Sequence, residues 1–221
     1  MKYSLFIFTV IIIFFGCEKK YKDVAYITHF VEIQLNGDNL VFTPSGIEYN
    51  DLGAIATENG DTVKVTTVSD VDTDNVGSYT VQYTATNSEG FSKTEERKVV
   101  VYDANTLNVD ISGIYNADVK RGSEHYTGNK VELKSTGING VCYISDWVGG
   151  FYTEGRGYED AYVFEGIIQI NKNNEVLELD MNNRWNKPFD DVVGTYNTIT
   201  GDIKYNADFV GKYTFIVELS K

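Results

Sequence analysis

The chain is poor in cysteine, histidine and basic residues. It holds two cysteines, two histidines and two tryptophans in 221 residues, and 19 lysines and arginines stand against 32 aspartates and glutamates, for a net charge of −13. The shortage of base excludes a nucleic-acid binder, because such proteins hold the phosphate backbone through lysine and arginine. It also excludes a body that lies flat on anionic lipid. His29 and His125 lie in different parts of the chain, which leaves a zinc site with two histidine ligands unsupported. No His-Glu-x-x-His, Gly-x-Ser-x-Gly or Walker-type glycine loop occurs. No catalytic residue, metal or cofactor is therefore assigned, and a glycosidase working through an unmarked carboxylate pair is the residual enzymatic alternative.

A long apolar run is present at the start. Lys2 precedes Leu5 to Phe15, and Gly16-Cys17 closes the run. It is too short to span a bilayer as a helix of about 20 residues, and it has the charged start, apolar middle and small-residue end of a secretory signal. Cys17 at the cleavage point resembles the lipid-modified cysteine of a bacterial lipobox, with Phe14 where leucine is usual. The resemblance implies a signal peptide over 1–16, lipidation of Cys17, a tether over 17–23 and membrane attachment through acyl chains, two of which anchor firmly. An uncleaved N-terminal anchor is the alternative. With Cys17 spent on lipid no disulfide remains, and Cys142, in the alternation Val141-Cys142-Tyr143-Ile144, reads as a small buried hydrophobe.

Beyond the signal almost nothing reads as helix. Runs rich in Val, Ile, Thr and Tyr alternate with Gly- and Asn-containing turns. Phe30–Leu35 and Leu40–Phe42 flank Asn36-Gly37-Asp38, a hairpin signal. Thr62–Val68 reads as one strand, and Tyr79, Val81, Tyr83 and Ala85 alternate with polar residues ahead of a strand over Lys93–Tyr102. About seven strands in roughly 80 residues is the spacing of a β-sandwich. Val76-Gly77-Ser78-Tyr79-Thr80-Val81-Gln82-Tyr83-Thr84-Ala85-Thr86-Asn87, with Tyr49–Ala54 before it and Val99-Val100-Val101 after, resembles the bacterial Ig-like repeat of surface proteins. Asn87 stands where that repeat usually has Asp.

From Ile111 onward about eight further strands in about 110 residues suit a closed antiparallel barrel or a second sandwich, closure being favoured because it removes edges. One of them is expected over Tyr162–Ile170. The fold class is thus all-β: an Ig-like sandwich over 24–103 and, over 104–221, an antiparallel β-barrel or a second β-sandwich. Tyr143–Tyr152, Gly155-Arg156-Gly157-Tyr158 and Gly194-Thr195-Tyr196 with Thr200–Ile203 resemble the C-terminal domain of a Bacteroidota family of two-domain lipoproteins that join an Ig-like domain to a lipocalin-like β domain. That resemblance implies an outer-membrane, lipid-anchored accessory protein beside importers of the starch-utilisation type. Its expected partners are such a transporter complex and a glycan or peptide ligand. Cell-surface exposure is favoured over the periplasmic face, although Glu18-Lys19-Lys20 is not the acidic run often found after the cysteine of exported lipoproteins.

The segment Asp146–Tyr162 concentrates rings and charges among glycines. Aromatic faces stack on sugar rings while carboxylates and guanidinium take hydroxyls, and a peptide could use the same groups. Asp146, Trp147, Tyr152, Arg156 and Tyr158, with Trp185 as a second platform, are the candidate ligand contacts. The competing reading makes Trp147 and several tyrosines the plug of the barrel, since aromatics dominate small cores. Asp70, Asp72 and Asp74 alternate as calcium ligands do but lack the rest of that pattern, and read as a solvated turn.

Overall fold

Alternation of inward apolar and outward polar residues builds two β domains in the computed structural model, which describes residues 27–221. The signal sequence, Cys17 and the 17–23 tether lie outside the described residues. The first domain holds β1 (Glu32–Leu35), β2 (Leu40–Pro44), β3 (Ala54–Glu58), β4 (Asp61–Val63), β5 (Val65–Ser69), β6 (Gly77–Thr86) and β7 (Ser92–Tyr102). They form a three-stranded sheet, β1-β3-β4, facing a four-stranded sheet, β2-β7-β6-β5. Val81, Tyr83 and Ala85 of β6 and Val99 of β7 point into the space between.

Two local expectations fail here. Asn36-Gly37-Asp38 does not close a hairpin: β1 pairs with β3, while β2 crosses to the other sheet and runs parallel to β7. Arg97, fully buried, explains the crossing. Its guanidinium donates to the carbonyls of Asn36 (2.6 Å) and Asp38 (2.9 Å), to the Tyr83 hydroxyl (2.8 Å) and to the Asp51 carboxylate. Asp51 in turn accepts from Tyr83 (2.6 Å), Tyr49 (3.0 Å) and the Gly53 amide (2.9 Å). The run Thr62–Val68 also divides, at Lys64, into β4 on one sheet and β5 on the other. Val63 and Val65 both pack toward the interior across that step.

The second domain holds β8 (Gly113–Arg121), β9 (Glu124–Ser135), β10 (Val141–Ile144), β11 (Glu165–Ile170), β12 (Val176–Asn182), β13 (Asp191–Tyr196), β14 (Ile203–Phe209) and β15 (Tyr213–Ser220). They make one antiparallel eight-stranded sheet, β12-β11-β10-β9-β8-β15-β14-β13. Its ends meet where Glu175 bridges Thr195 and the Tyr196 amide bonds Asn174 O at 2.8 Å, so the barrel is nearly closed. The expected strand over Tyr162–Ile170 begins only at Glu165, because Asp160–Tyr162 coil into a short 3-10 turn.

Residues 146–152, after β10, turn inward and with Phe164 fill the barrel. Trp147, Val148, Phe151 and Phe164 are fully buried among residues of β8, β14 and β15. Glycine makes this entry possible. Gly150 has φ +73°, and a Cβ there would lie 2.9 Å from Asn129 Nδ2. At Gly149 (φ +61°) a Cβ would press on Val119 and Val217 at 3.3 Å. A bulge at Gly128 shifts the inward parity of β9 so that Asn129 faces the plug and its Nδ2 donates to Gly149 O at 2.8 Å.

The two domains share a seam. Leu40, Phe42, Val100 and Tyr102, on the outer face of the four-stranded sheet, pack on Val141, Tyr143, Ile167, Leu177 and Leu179, on the outer face of the barrel. Gln169, fully buried, exchanges two 2.8 Å hydrogen bonds with the backbone of Asp103, and Lys98 pairs with Asp180 at 2.8 Å.

Candidate functional site

Antiparallel pairing of β8 with β15 brings the tips of two hairpins to one end of the barrel, Arg121–Glu124 and Phe209–Tyr213. The chain leaving the plug, 152–162, and the loop 183–189 complete that end. Together they enclose a recess of about 470 Å³. Its walls are rings. Tyr152 stacks with Tyr158 at 5.9 Å, Tyr158 meets Tyr162 edge-on at 4.9 Å, and Trp185 lies 5.7 Å from both Tyr152 and Tyr162. Tyr158 and Trp185 are 43% and 39% exposed, so both residues reach solvent.

Cations are set among the rings. Arg121 lies 4.3 Å from the Phe151 ring and 4.8 Å from that of Tyr213, and donates to the Tyr152 hydroxyl at 2.7 Å. Arg156 grips both oxygens of Glu124, its Nε at 2.8 Å and its Nη2 in the second contact. The hydrogen bond from Arg156 holds the Glu124 carboxyl down to about 2, and the same bond raises the Arg156 guanidinium. Lys187 is exposed on the rim, and Arg184 sits 4.0 Å from the Tyr162 ring. Such a surface can stack a flat or ring-shaped ligand and offer charged donors to its polar substituents.

Four of the expected contacts, Tyr152, Arg156, Tyr158 and Trp185, converge on this recess. Asp146 and Trp147 do not, and the structure withdraws them from the set. Trp147 is fully buried, edge-on to Tyr205 (5.5 Å) and Phe189 (6.1 Å), with its carbonyl bonded to the Tyr205 hydroxyl at 2.7 Å. No face of the indole is free to stack, and its buried Nε1 has no hydrogen-bond partner among the described residues. Asp146 works as a staple for the plug. Its carboxylate accepts the amides of Val148 (3.0 Å), Gly150 (3.0 Å) and Phe164 (3.2 Å), while burial pushes its carboxyl up to about 6. Cys17 lies outside the described residues.

Arg121, Lys187, Phe209 and Tyr213 also line the recess, and reading along the sequence passes over them. They come from strand ends far apart in the chain. The available signal was topological: adjacent hairpins in an antiparallel barrel expose their tips at one end. Elsewhere, a cavity of about 640 Å³ opens along the seam. Its Lys98 and Asp180 already pair with each other, and Tyr143 is its one ring. Asp72 accepts bonds from the Asp74 amide (3.0 Å) and Asn75 (2.7 Å) in an exposed turn. Among the described residues no three His, Cys, Asp or Glu side chains gather as metal ligands.

A sandwich joined to a plugged antiparallel barrel, with an aromatic recess at one barrel end, defines the class of protein. The family model of a BT2262-like C-terminal domain matches residues 103–221, more than half of the chain, and the chain belongs to that family. The model of a bacterial surface protein Ig-like domain matches residues 33–101. Among solved structures, the lipoprotein BT2262 from Bacteroides thetaiotaomicron is 26% identical, with 87% of this chain and 100% of that chain covered and a TM-score of 0.47. No curated protein sequence matches.

Proposed function

We propose that the chain is a membrane-anchored, non-catalytic accessory lipoprotein of an outer-membrane nutrient-uptake system, in which the barrel recess holds a glycan or peptide near an importer. The observation that carries the binding part is the recess itself. The partly exposed Tyr158 and Trp185 stand beside Arg156 and Lys187 in a concavity of about 470 Å³, the mixture of apolar walls and a few placed polar groups that small-ligand sites use. The anchor rests on the Leu5–Phe15 run and Cys17, and the Ig-like match is to a domain of bacterial surface proteins. A scaffold without a ligand is the second reading, favoured by the burial of Trp147 and Asp146 in the plug.

Tryptophan fluorescence separates the two. Trp147 is buried in the barrel, whereas Trp185 lines the recess, so emission that changes on titration reports the recess. A saturable change with glycan or peptide mixtures, abolished by Tyr158→Ala in a folded variant, supports binding. No change with any mixture, in a chain that still co-purifies with an importer, supports the scaffold.

A further inference from the structure

The charge of the recess runs against that of the molecule. The chain carries −13 overall, yet the recess walls contain Arg121, Arg156 and Lys187 and no carboxylate. Of the acids nearby, Glu124 is shared between Arg156 (2.8 Å) and Arg121 (3.5 Å), while Glu159 lies in the adjoining groove beside Tyr158 and Tyr162. One carboxylate against two guanidinium groups leaves positive charge over, and Lys187 adds to it, being in no ion pair among the described residues. Cations gathered in a concave, low-dielectric wall focus potential on whatever enters. In a chain this acidic, an anion is repelled elsewhere and admitted here.

The rest of the wall narrows the anion. Tyr158 and Trp185 are partly exposed rings, a surface able to pack on the apolar side of a pyranose. The hydroxyls of Tyr162 and Tyr213 make no hydrogen bond to the protein among the described residues and are free both to donate to and to accept from ring hydroxyls. Building on the binding reading above, we infer that the recess selects an acidic saccharide, a pyranose bearing a carboxylate or sulfate, with the sugar ring on Tyr158 and Trp185 and the anionic group toward Arg156 and Lys187.

The test is calorimetric titration of the full chain in detergent with four probes: trigalacturonate, a chondroitin sulfate tetrasaccharide, neutral maltotriose and a tyrosine-containing tripeptide acid. Binding of either acidic saccharide at least about tenfold tighter than maltotriose is expected, weakening as NaCl rises from about 50 to about 500 mM. Binding of trigalacturonate shows that a carboxylate suffices, whereas binding of the chondroitin sulfate alone, which carries carboxylates as well as sulfates, points to the sulfate. Lys187→Glu should weaken that binding by about tenfold, while Lys64→Glu, an equal charge change in the other domain, should alter it by less than roughly twofold. Equal affinity for maltotriose and the acidic probes overturns the inference and leaves the recess a binding site. Binding of the tripeptide alone overturns it in favour of peptide capture. Binding of none overturns both this inference and the recess reading.

Discussion

Deleting the Asp51 carboxylate is the perturbation that should damage the sandwich most. Arg97 is fully buried, and Asp51, with 23% of its side chain exposed, is its only charged partner among the described residues. In Asp51→Ala the guanidinium keeps Tyr83 Oη and the carbonyls of Asn36 and Asp38 but loses its counter-charge. Breaking a buried pair from one side costs about 3–5 kcal/mol. The partial exposure of Asp51 places the expectation near the low end, about 3 kcal/mol. For a domain of this size each kcal/mol moves the midpoint by about 4–8 °C, so the sandwich should melt on the order of 12–24 °C lower. Scanning calorimetry reads the midpoint, and hydrogen exchange at β1, β2 and β7 assigns the loss to the crossing that Arg97 holds. The double variant Asp51→Ala/Arg97→Met removes the stranded charge and should recover at least about 2 kcal/mol, since apolar replacement of a buried pair is near neutral. Burial works against the Asp51 charge, but hydrogen bonds from Tyr83, Tyr49, Arg97 and the Gly53 amide outweigh it and hold the carboxyl below its ordinary value of 3.8. The stabilisation is therefore present above that value and lost as pH falls through the lower folded one. The gap between wild type and Asp51→Ala should close only in strong acid. A single variant costing less than about 1 kcal/mol, or a double variant no more stable than the single, would refute the reasoning.

The barrel should respond to pH in the opposite sense. Burial raises Asp146 to about 6, and burial with the Asp180 charge raises Glu178 to about 7. The folded barrel then keeps protons that the unfolded chain has released, so stability falls as pH rises through this window. For Asp146, moving from 3.8 to about 6 corresponds to about 3 kcal/mol. Urea midpoints at pH 4.5 and 7.5 check the sign, with Glu178→Gln flattening the curve. Gly150→Ala forces a side chain to φ +73° against Asn129 and should cost about 1–3 kcal/mol, read as a lower urea midpoint. Tyr205→Phe leaves the buried Trp147 carbonyl without its donor and should cost about 1–3 kcal/mol without altering ligand binding at the recess. Burial pushes the Cys142 thiol up to about 12, so it should react with a thiol reagent at pH 8 only as fast as the barrel opens.

Strand content was legible wherever one face of a strand meets a core, as in Val81, Tyr83 and Ala85 against Val99. The all-β class followed from such alternation, which left both a barrel and a second sandwich open for the C-terminal domain. Sheet membership did not. Asn36-Gly37-Asp38 has the chemistry of a hairpin turn, but the sheet that the next strand joins is decided by Arg97, 59 residues beyond Asp38. The aromatic segment carried a similar ambiguity. A tryptophan beside two glycines serves equally as a platform or a plug, and the choice depends on Asn129, Val119 and Val217 leaving room for Gly149 and Gly150. Tyr158 and Trp185 could be singled out as exposed rings, whereas Arg121 and Tyr213 join them only because β8 and β15 are neighbours.

The seam bears on how such chains can be cut and recombined. Strands β10, β11 and β12 face the plug on one side and the sandwich on the other, so neither face of that wall is wholly in water. An Ig-like domain is commonly thought of as an exchangeable bead on a string, but this one supplies part of the barrel's outer coat. Grafting residues 104–221 onto a foreign partner would leave Val141, Tyr143, Ile167, Leu177 and Leu179 as a sticky stripe. The two domains form one packed unit, and a change at Phe42 or Val100 has to be accommodated by residues across the seam.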